Sequence, residues 1–99
     1  MNLKINSIHF DADAKLEDYI QSKVTKMNKF YEGIVGAEIF LRLEKSSTQE
    51  NKVTEIKLEI PGNDLFVKRK SKTFEEATND AVEALTIQLK KFKEKQKGI

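Results

Sequence analysis

The fold is decided by residues 55–77, which read EIKLEIPGNDLFVKRKSKTFEEA. From Ile56 to Ile60, apolar residues alternate with charged ones, which is the period of a strand with one apolar face. Residues 61–64 are Pro-Gly-Asn-Asp, a combination typical of a tight hairpin turn. The chain is therefore predicted to return as a further strand over residues 65–72.

A helix follows this hairpin and is predicted to begin at a capping box. The Thr73 hydroxyl can accept a hydrogen bond from the amide of Glu76, while the Glu76 carboxylate reaches back toward the start of the helix. Apolar residues then recur at helical spacing and form the face that the helix buries. The residues on this face are Phe74, Ala77, Ala81, Leu85, Leu89 and Phe92.

A strand and a helix are predicted at the amino-terminal end. Residues 1–8 alternate apolar and polar side chains, as a half-buried strand does. Asp13 is a good N-cap for a helix that extends to residues 31–32. The next residues, Gly33 and Ile34, are typical of a left-handed C-cap that ends such a helix. The apolar stripe of this helix consists of Leu16, Ile20, Val24, Met27 and Tyr31.

The middle of the chain completes the pattern. Residues 37–44 alternate as another strand, with Ala37, Ile39, Leu41 and Leu43 on its apolar face, and the polar residues 45–51 predict a loop. The sequence thus predicts a single α+β domain over residues 1–99 with the order β-α-β-β-β-α. An antiparallel sheet with one apolar face needs a cover, and two helices packed side by side on that face supply it, as in double-stranded-RNA-binding-domain-like folds.

Composition narrows the functions to consider. No apolar run approaches the roughly 20 residues that span a bilayer, and the amino terminus has no continuous apolar signal region, so we expect a cytoplasmic protein without membrane contact. The chain has no cysteine, and its one histidine, His9, is interpreted as a surface or hinge residue. No glycine-rich phosphate loop is present. We therefore expect a protein that is not an enzyme and uses no cofactor, metal or small-molecule substrate.

Basic residues are concentrated in three blocks despite a formal net charge of only +2. On the first helix they share one flank of the apolar stripe, whereas Glu17, Asp18 and Glu32 lie on the other side. This helix block consists of Lys15, Lys23, Lys26 and Lys29. The second block, on the fourth strand, consists of Lys68, Arg69, Lys70 and Lys72. The third block, at the end of the second helix, consists of Lys90, Lys91, Lys93, Lys95 and Lys97, of which the first four are the candidate RNA contacts.

Each block also has a purely structural explanation. Helix lysines can form a solvated face with intrahelical ion pairs, edge-strand lysines discourage aggregation, and cations at a helix carboxyl end complement its dipole. Together, however, the three blocks suit a surface that neutralises several phosphates at once, and they predict nucleic-acid binding that weakens as salt rises. Phe40 and Phe66 are predicted on the sheet face away from the helices, where packing or a protein contact is preferred to base stacking.

Two segments resemble a known family. Residues 9–20, followed by Lys23 and Lys26, look like the first helix of the ribosome hibernation promoting factors, also called the sigma-54 modulation or ribosome-associated inhibitor family. Residues 74–82 and 88–95 are similar to the last helix of that family, including its Gln-Leu and spaced-lysine ending. The resemblance covers essentially the whole chain and includes the β-α-β-β-β-α order.

The resemblance implies a translation inhibitor that binds the small ribosomal subunit in the channel for messenger and transfer RNA. Lysines of the two helices would contact ribosomal RNA phosphates, and idle ribosomes would be preserved in stationary phase or stress. The lysines that match basic positions of the family are Lys23, Lys26, Lys91 and Lys93. The chain resembles the short form of the family, which lacks the dimerisation domain, and a monomer is expected off the ribosome.

The second helix also departs from the family pattern. Glu75 and Asn79 replace an aromatic residue and an aspartate, and Ala84 and Ile87 replace basic residues. Two alternatives to a ribosome-binding inhibitor stay open. One is a general double-stranded RNA-binding domain, which normally begins with its own helix and not with a strand. The other is a protein-interaction module that modulates a sigma factor.

Overall fold

The computed structural model describes residues 1–45 and 49–97, and it confirms the predicted α+β class and element order. The strands are β1 (Asn2–Ser7), β2 (Gly36–Leu43), β3 (Lys52–Ile60) and β4 (Asn63–Ser71). The helices are α1 (Ala14–Thr25), which continues into a 3-10 turn (Lys26–Lys29), and α2 (Phe74–Lys97). Residues 46–48 of the predicted loop lie outside the described residues.

The four strands form one sheet in the order β1-β2-β3-β4, but the expectation of a wholly antiparallel sheet is wrong. β1 pairs with β2 in parallel, and only the β2–β3 and β3–β4 pairs are antiparallel. The reason is the connection, because α1 carries the chain back across the sheet between β1 and β2, as a parallel crossover requires. The edge strands are therefore β1 and β4.

One face of the sheet is apolar across all four strands. In the register of the sheet, Ile5 of β1 pairs with Ile39 of β2. Ile39 pairs in turn with Ile56 of β3, and Ile56 pairs with Val67 of β4. Both helices pack side by side on this face, and the buried side chains of α1 and α2 join those of the sheet in one cluster. The predicted face of β2 ends early, since Leu43 is 54% exposed. We call the opposite side of the sheet the outer face.

The carboxyl end of the first helix differs from the prediction. α1 stops at Thr25, and the backbone amides of Phe30 and Tyr31 both donate to the Met27 carbonyl, at 3.0 and 3.2 Å. Gly33 is not a left-handed C-cap, because its φ is not among the positive values of the described residues. A side chain at this position would instead displace Tyr31, because a Cβ would lie 2.6 Å from the Tyr31 ring.

The hairpin turn and the capping box before the second helix are both present in the structure. The hairpin turn is formed by residues 61–62, and Gly62 has the positive φ of 78° that a glycine adopts without strain. The Glu76 amide donates to the Thr73 hydroxyl at 3.0 Å, as the capping box predicts. The Glu76 carboxylate accepts at 2.8 Å from the Ser71 hydroxyl, so it joins the helix start to the end of β4.

A buried pair of hydroxyls joins this helix to the sheet, and it allows a test of the packing. Thr54 of β3 and Thr78 of α2 are fully buried, with their Oγ1 atoms 3.3 Å apart. We expect Thr78→Val to lower the free energy of unfolding by about 1–3 kcal/mol, because it leaves a buried hydroxyl without its partner. The double variant Thr54→Val/Thr78→Val should recover most of this loss. Urea denaturation measures both, and additive losses would contradict a mutual hydrogen bond.

Candidate nucleic-acid interface

One wall of the candidate interface is built by α1 and the 3-10 turn. Asp13 Oδ1 accepts from a backbone amide in the first turn of α1 at 2.8 Å and so fixes where the helix begins. Ile20 and Val24 are fully buried against the sheet and fix how the helix is rotated. This rotation brings Lys23 of α1, and Lys26 of the 3-10 turn that follows, to the side that faces α2.

An open groove of about 440 Å³ runs between the two helices, and we call it the interhelical groove. Its surface is mostly apolar, and two of its apolar side chains remain accessible, since Phe30 is 39% exposed and Ile87 is 56% exposed. The residues that line it are Lys23, Lys26, Phe30, Asn79, Val82, Glu83, Thr86 and Ile87. An accessible apolar surface with a cationic wall is a common feature of ligand-binding surfaces.

Two lysines of the helices lie over aromatic rings, and one of these rings, Phe30, lines the groove. The Lys90 ammonium is 5.1 Å from the ring centroid of Phe30, and it therefore links the end of α2 to the end of the 3-10 turn. On α1, the Lys23 ammonium is 5.7 Å from the ring centroid of Tyr19. Both distances lie within the range of a cation–π attraction. The cationic rim of the groove thus comes from both helices.

The predicted lysines at the end of α2 do not share one surface. Lys93 follows Lys90 by three residues and therefore lies on the same side of the helix as the interhelical groove. Lys91 and Lys95 lie on the opposite flank, where they line a shallow depression of about 250 Å³ with Leu65 of β4. The end of α2 thus carries cations along two sides.

The predicted block on β4 is separated from the helices. Lys68 and Lys70 lie on the outer face, and their ammonium groups are 3.9 and 3.5 Å from the carboxylate of Glu44. Arg69 has the opposite parity along the strand, and its Nη1 donates to the Lys68 carbonyl at 2.9 Å. Lys72 is exposed in the bend before α2. The structure does not bring Lys68 and Lys70 to the interhelical groove.

The remaining two predicted lysines extend the row on the first helix. Lys15 is exposed in the first turn of α1, two turns before Lys23 and hence about 12 Å from it along the axis. Lys29 ends the 3-10 turn that Lys26 begins, and side chains three residues apart eclipse in such a turn. The four lysines therefore follow one side of the helix from end to end.

Ion pairing distinguishes the two faces of the domain. The salt bridges among residues 1–45 and 49–95 join Arg42 to Glu55, Lys57 to Asp64, and Lys68 and Lys70 to Glu44. All of them lie on the sheet side, and within those residues no lysine of α1 or α2 takes part in one. A phosphate that approaches the helices would therefore meet lysines that form no salt bridge with another side chain among residues 1–45 and 49–95.

The interhelical groove itself was not predicted. The sequence pattern indicates only that Ile87 replaces a basic residue, and it predicts no role for Phe30. A signal was present, because Ile87 lies two residues from both Leu85 and Leu89 and so falls away from the buried face of α2. An accessible isoleucine at that position indicates a surface that something else can contact.

Among the described residues, no group of three or more His, Asp or Glu side chains is arranged to hold a metal ion. None of the helices in that part of the chain is long and apolar enough to cross a membrane.

Fold and surface together define a small α+β domain with a basic two-helix face. A family model described as sigma 54 modulation protein / S30EA ribosomal protein matches residues 3–97. The chain therefore belongs to this family, and the resemblance seen in the sequence is confirmed.

Relatives and solved structures agree with this assignment. A ribosome hibernation promoting factor of Pseudomonas putida is 27% identical over 99 residues, which cover 100% of this chain and 93% of that protein. The fold is shared with the Thermus thermophilus Protein Y N-terminal domain, at 24% identity and a TM-score of 0.80, with 93% of this chain and 99% of that chain covered. A ribosomal subunit interface protein from Coxiella burnetii gives a TM-score of 0.83 at 16% identity, with 94% and 98% covered.

Proposed function

We propose that this protein is a ribosome hibernation factor that binds the small ribosomal subunit in the channel for messenger and transfer RNA. It blocks translation by occupying that channel and preserves idle ribosomes in stationary phase or stress. It acts in the cytoplasm, as a monomer until it binds, and it catalyses no reaction. The observation that carries the proposal is the difference between the faces: the helix lysines are outside the ion pairs of the described residues, whereas Lys57, Lys68 and Lys70 of the sheet are paired.

The comparisons support the ribosome as the partner. The matched relative from Pseudomonas putida is named a ribosome hibernation promoting factor, and the Coxiella burnetii structure is that of a ribosomal subunit interface protein. The family model matches residues 3–97, and this range includes both helices that carry the cationic rim. We therefore infer that the cationic rim binds ribosomal RNA.

The binding mechanism follows from the charges. Each lysine that approaches a phosphate releases a counterion, so the affinity depends steeply on salt while base sequence contributes little. The row from Lys15 to Lys29 and the lysines at the end of α2 can contact several phosphates from one rigid body, because both helices are fixed on the same sheet face. Inhibition then needs only steric exclusion of messenger and transfer RNA.

Sucrose-gradient sedimentation tests the proposal directly. In lysates of starved cells at low salt, we expect the protein to travel with small ribosomal subunits and to be released as salt is raised. An excess of duplex RNA serves as the competitor, and it should displace little of the protein if the site is specific to the subunit. Retention at the top of the gradient in lysates of both growing and starved cells would reject the proposal. Complete displacement by duplex RNA would instead favour a general double-stranded RNA-binding domain.

A further inference from the structure

We infer that the interhelical groove receives one unpaired nucleotide of the bound RNA, with the base against its apolar surface and the phosphate on its lysine rim. This inference rests on the proposed function, to which it adds a base-binding site that phosphate neutralisation alone does not require. It concerns the part of α2 where Ile87 stands in place of the basic residue that the resemblance leads one to expect.

The shape of the groove is the first argument. Its volume of about 440 Å³ lies within the range of small-ligand sites, and its surface is mostly apolar. Phe30 offers a partly exposed aromatic ring, and Val82 and Ile87 lie on the α2 wall. An unstacked base is flat and apolar on its faces, and aromatic side chains are the usual surfaces on which such bases stack.

The charges around the groove indicate which kind of molecule occupies it. Lys23 and Lys26 line one wall, and Lys90 holds its ammonium 5.1 Å from the Phe30 ring centroid. An occupant with a flat apolar part and an adjoining anion satisfies both features, and a nucleotide within RNA is such a group. A second copy of this chain would bring the same lysine rim and hence like charges.

The α2 wall also has polar groups that fix the orientation. Asn79 Nδ2 donates to Glu83 Oε1 at 3.4 Å, and both residues line the groove. The Glu83 carboxylate repels a phosphate, so the phosphate lies toward the lysines and the edge of the base toward Asn79 and Glu83. Because the carboxylate and the amide oxygen are acceptors, they favour a base with an exocyclic amino group. Cytosine is therefore expected to bind better than uracil.

A single tryptophan can report on the groove, since the chain has none of its own. In Phe30→Trp, fluorescence should be quenched by single-stranded (C)10, more weakly by (U)10, and not by polyphosphate of equal phosphate concentration. The matched control is Phe66→Trp, which places the reporter at a 55% exposed position on the outer face and should not respond. Equal quenching by (C)10 and polyphosphate would overturn the base site. Equal quenching by (C)10 and (U)10 would overturn the assigned roles of Asn79 and Glu83.

A second measurement separates stacking from phosphate binding. Ile87→Ser should weaken binding to purified small subunits about five- to tenfold, within the range for one stacked base, without changing the salt dependence. Leu43→Ser is the control, because Leu43 is 54% exposed, close to the 56% of Ile87, but lies away from the groove. Lys26→Gln should instead reduce the slope of log affinity against log salt by about one. An unchanged affinity in Ile87→Ser would reject the inference.

The outcomes also distinguish this inference from the proposed function. Co-sedimentation with small subunits without quenching of Phe30→Trp would reject the groove and leave the proposed function intact. Quenching by (C)10 without co-sedimentation would reject the ribosome as the partner while the nucleotide site stands. Quenching by free CMP as strong as that by (C)10, at equal nucleotide concentration, would show a site for free nucleotides and would overturn the assignment to RNA.

Discussion

Replacement of Lys23, Lys26, Lys90 and Lys93 by glutamate is expected to abolish binding to the small ribosomal subunit, with a loss of affinity of about 10³-fold or more. Each reversal removes a cation and adds an anion, so the formal net charge changes from +2 to −6. All four residues lie on the side of the helices that faces the interhelical groove. Purified small subunits and the variant, titrated at a fixed low salt concentration, give the measurement.

A matched variant separates this local effect from net charge. Lys4, Lys57, Lys68 and Lys70 lie on the outer face, and their replacement by glutamate produces the same net charge of −6. This variant should keep most of the affinity, because three of these lysines are already paired with Asp64 or Glu44. Circular dichroism serves to check that both variants fold. Equal losses in the two variants would mean that only net charge matters.

The reverse result would change the functional conclusion. If the helix variant still binds and the outer-face variant does not, the contact is made by the sheet. Phe66, which is 55% exposed there, would then be the natural centre of a protein contact. That outcome would favour an interaction module of the kind that the family description, sigma 54 modulation protein, suggests.

The fold was largely predictable because its signals are local. Each of these signals involves only a few neighbouring residues, as the cap at Thr73, the turn at Gly62 and the alternation of β3 show. The structure confirms the elements that they predict. The parallel pairing of β1 with β2 depends instead on a connection of almost 30 residues. Even so, the rule that parallel strands need a long crossover could have predicted it from the position of α1.

The candidate site was less predictable because it depends on packing between elements. Helical spacing placed Lys23 and Lys26 on one flank, but no local pattern shows that Lys68 and Lys70 meet Glu44, since that contact needs the order of three strands. The 3-10 turn adds a second obstacle. It changes the rotation per residue just before Phe30, so a count at 100° per residue does not locate this ring.

The packing of α2 against α1 and the sheet holds the two helices in place. Leu85 is fully buried in the cluster that joins α2 with α1 and the sheet, and Leu85→Ala is expected to cost about 2–5 kcal/mol of the free energy of unfolding. Domains of this size have only about 5–15 kcal/mol in total, and each kcal/mol lost lowers the melting temperature by about 4–8 °C, so we expect a decrease of roughly 8–40 °C.

Leu43→Ala is the matched control for this loss. It deletes the same atoms at a residue that is 54% exposed, and it should change the melting temperature little. Thermal denaturation followed by circular dichroism compares the two variants, and similar melting temperatures would contradict the proposed core. The functional consequence is separable, because Leu85→Ala removes no lysine. At temperatures where the variant is still folded, its affinity for small subunits should keep the salt dependence of the original protein, whereas binding should disappear near the lowered melting temperature.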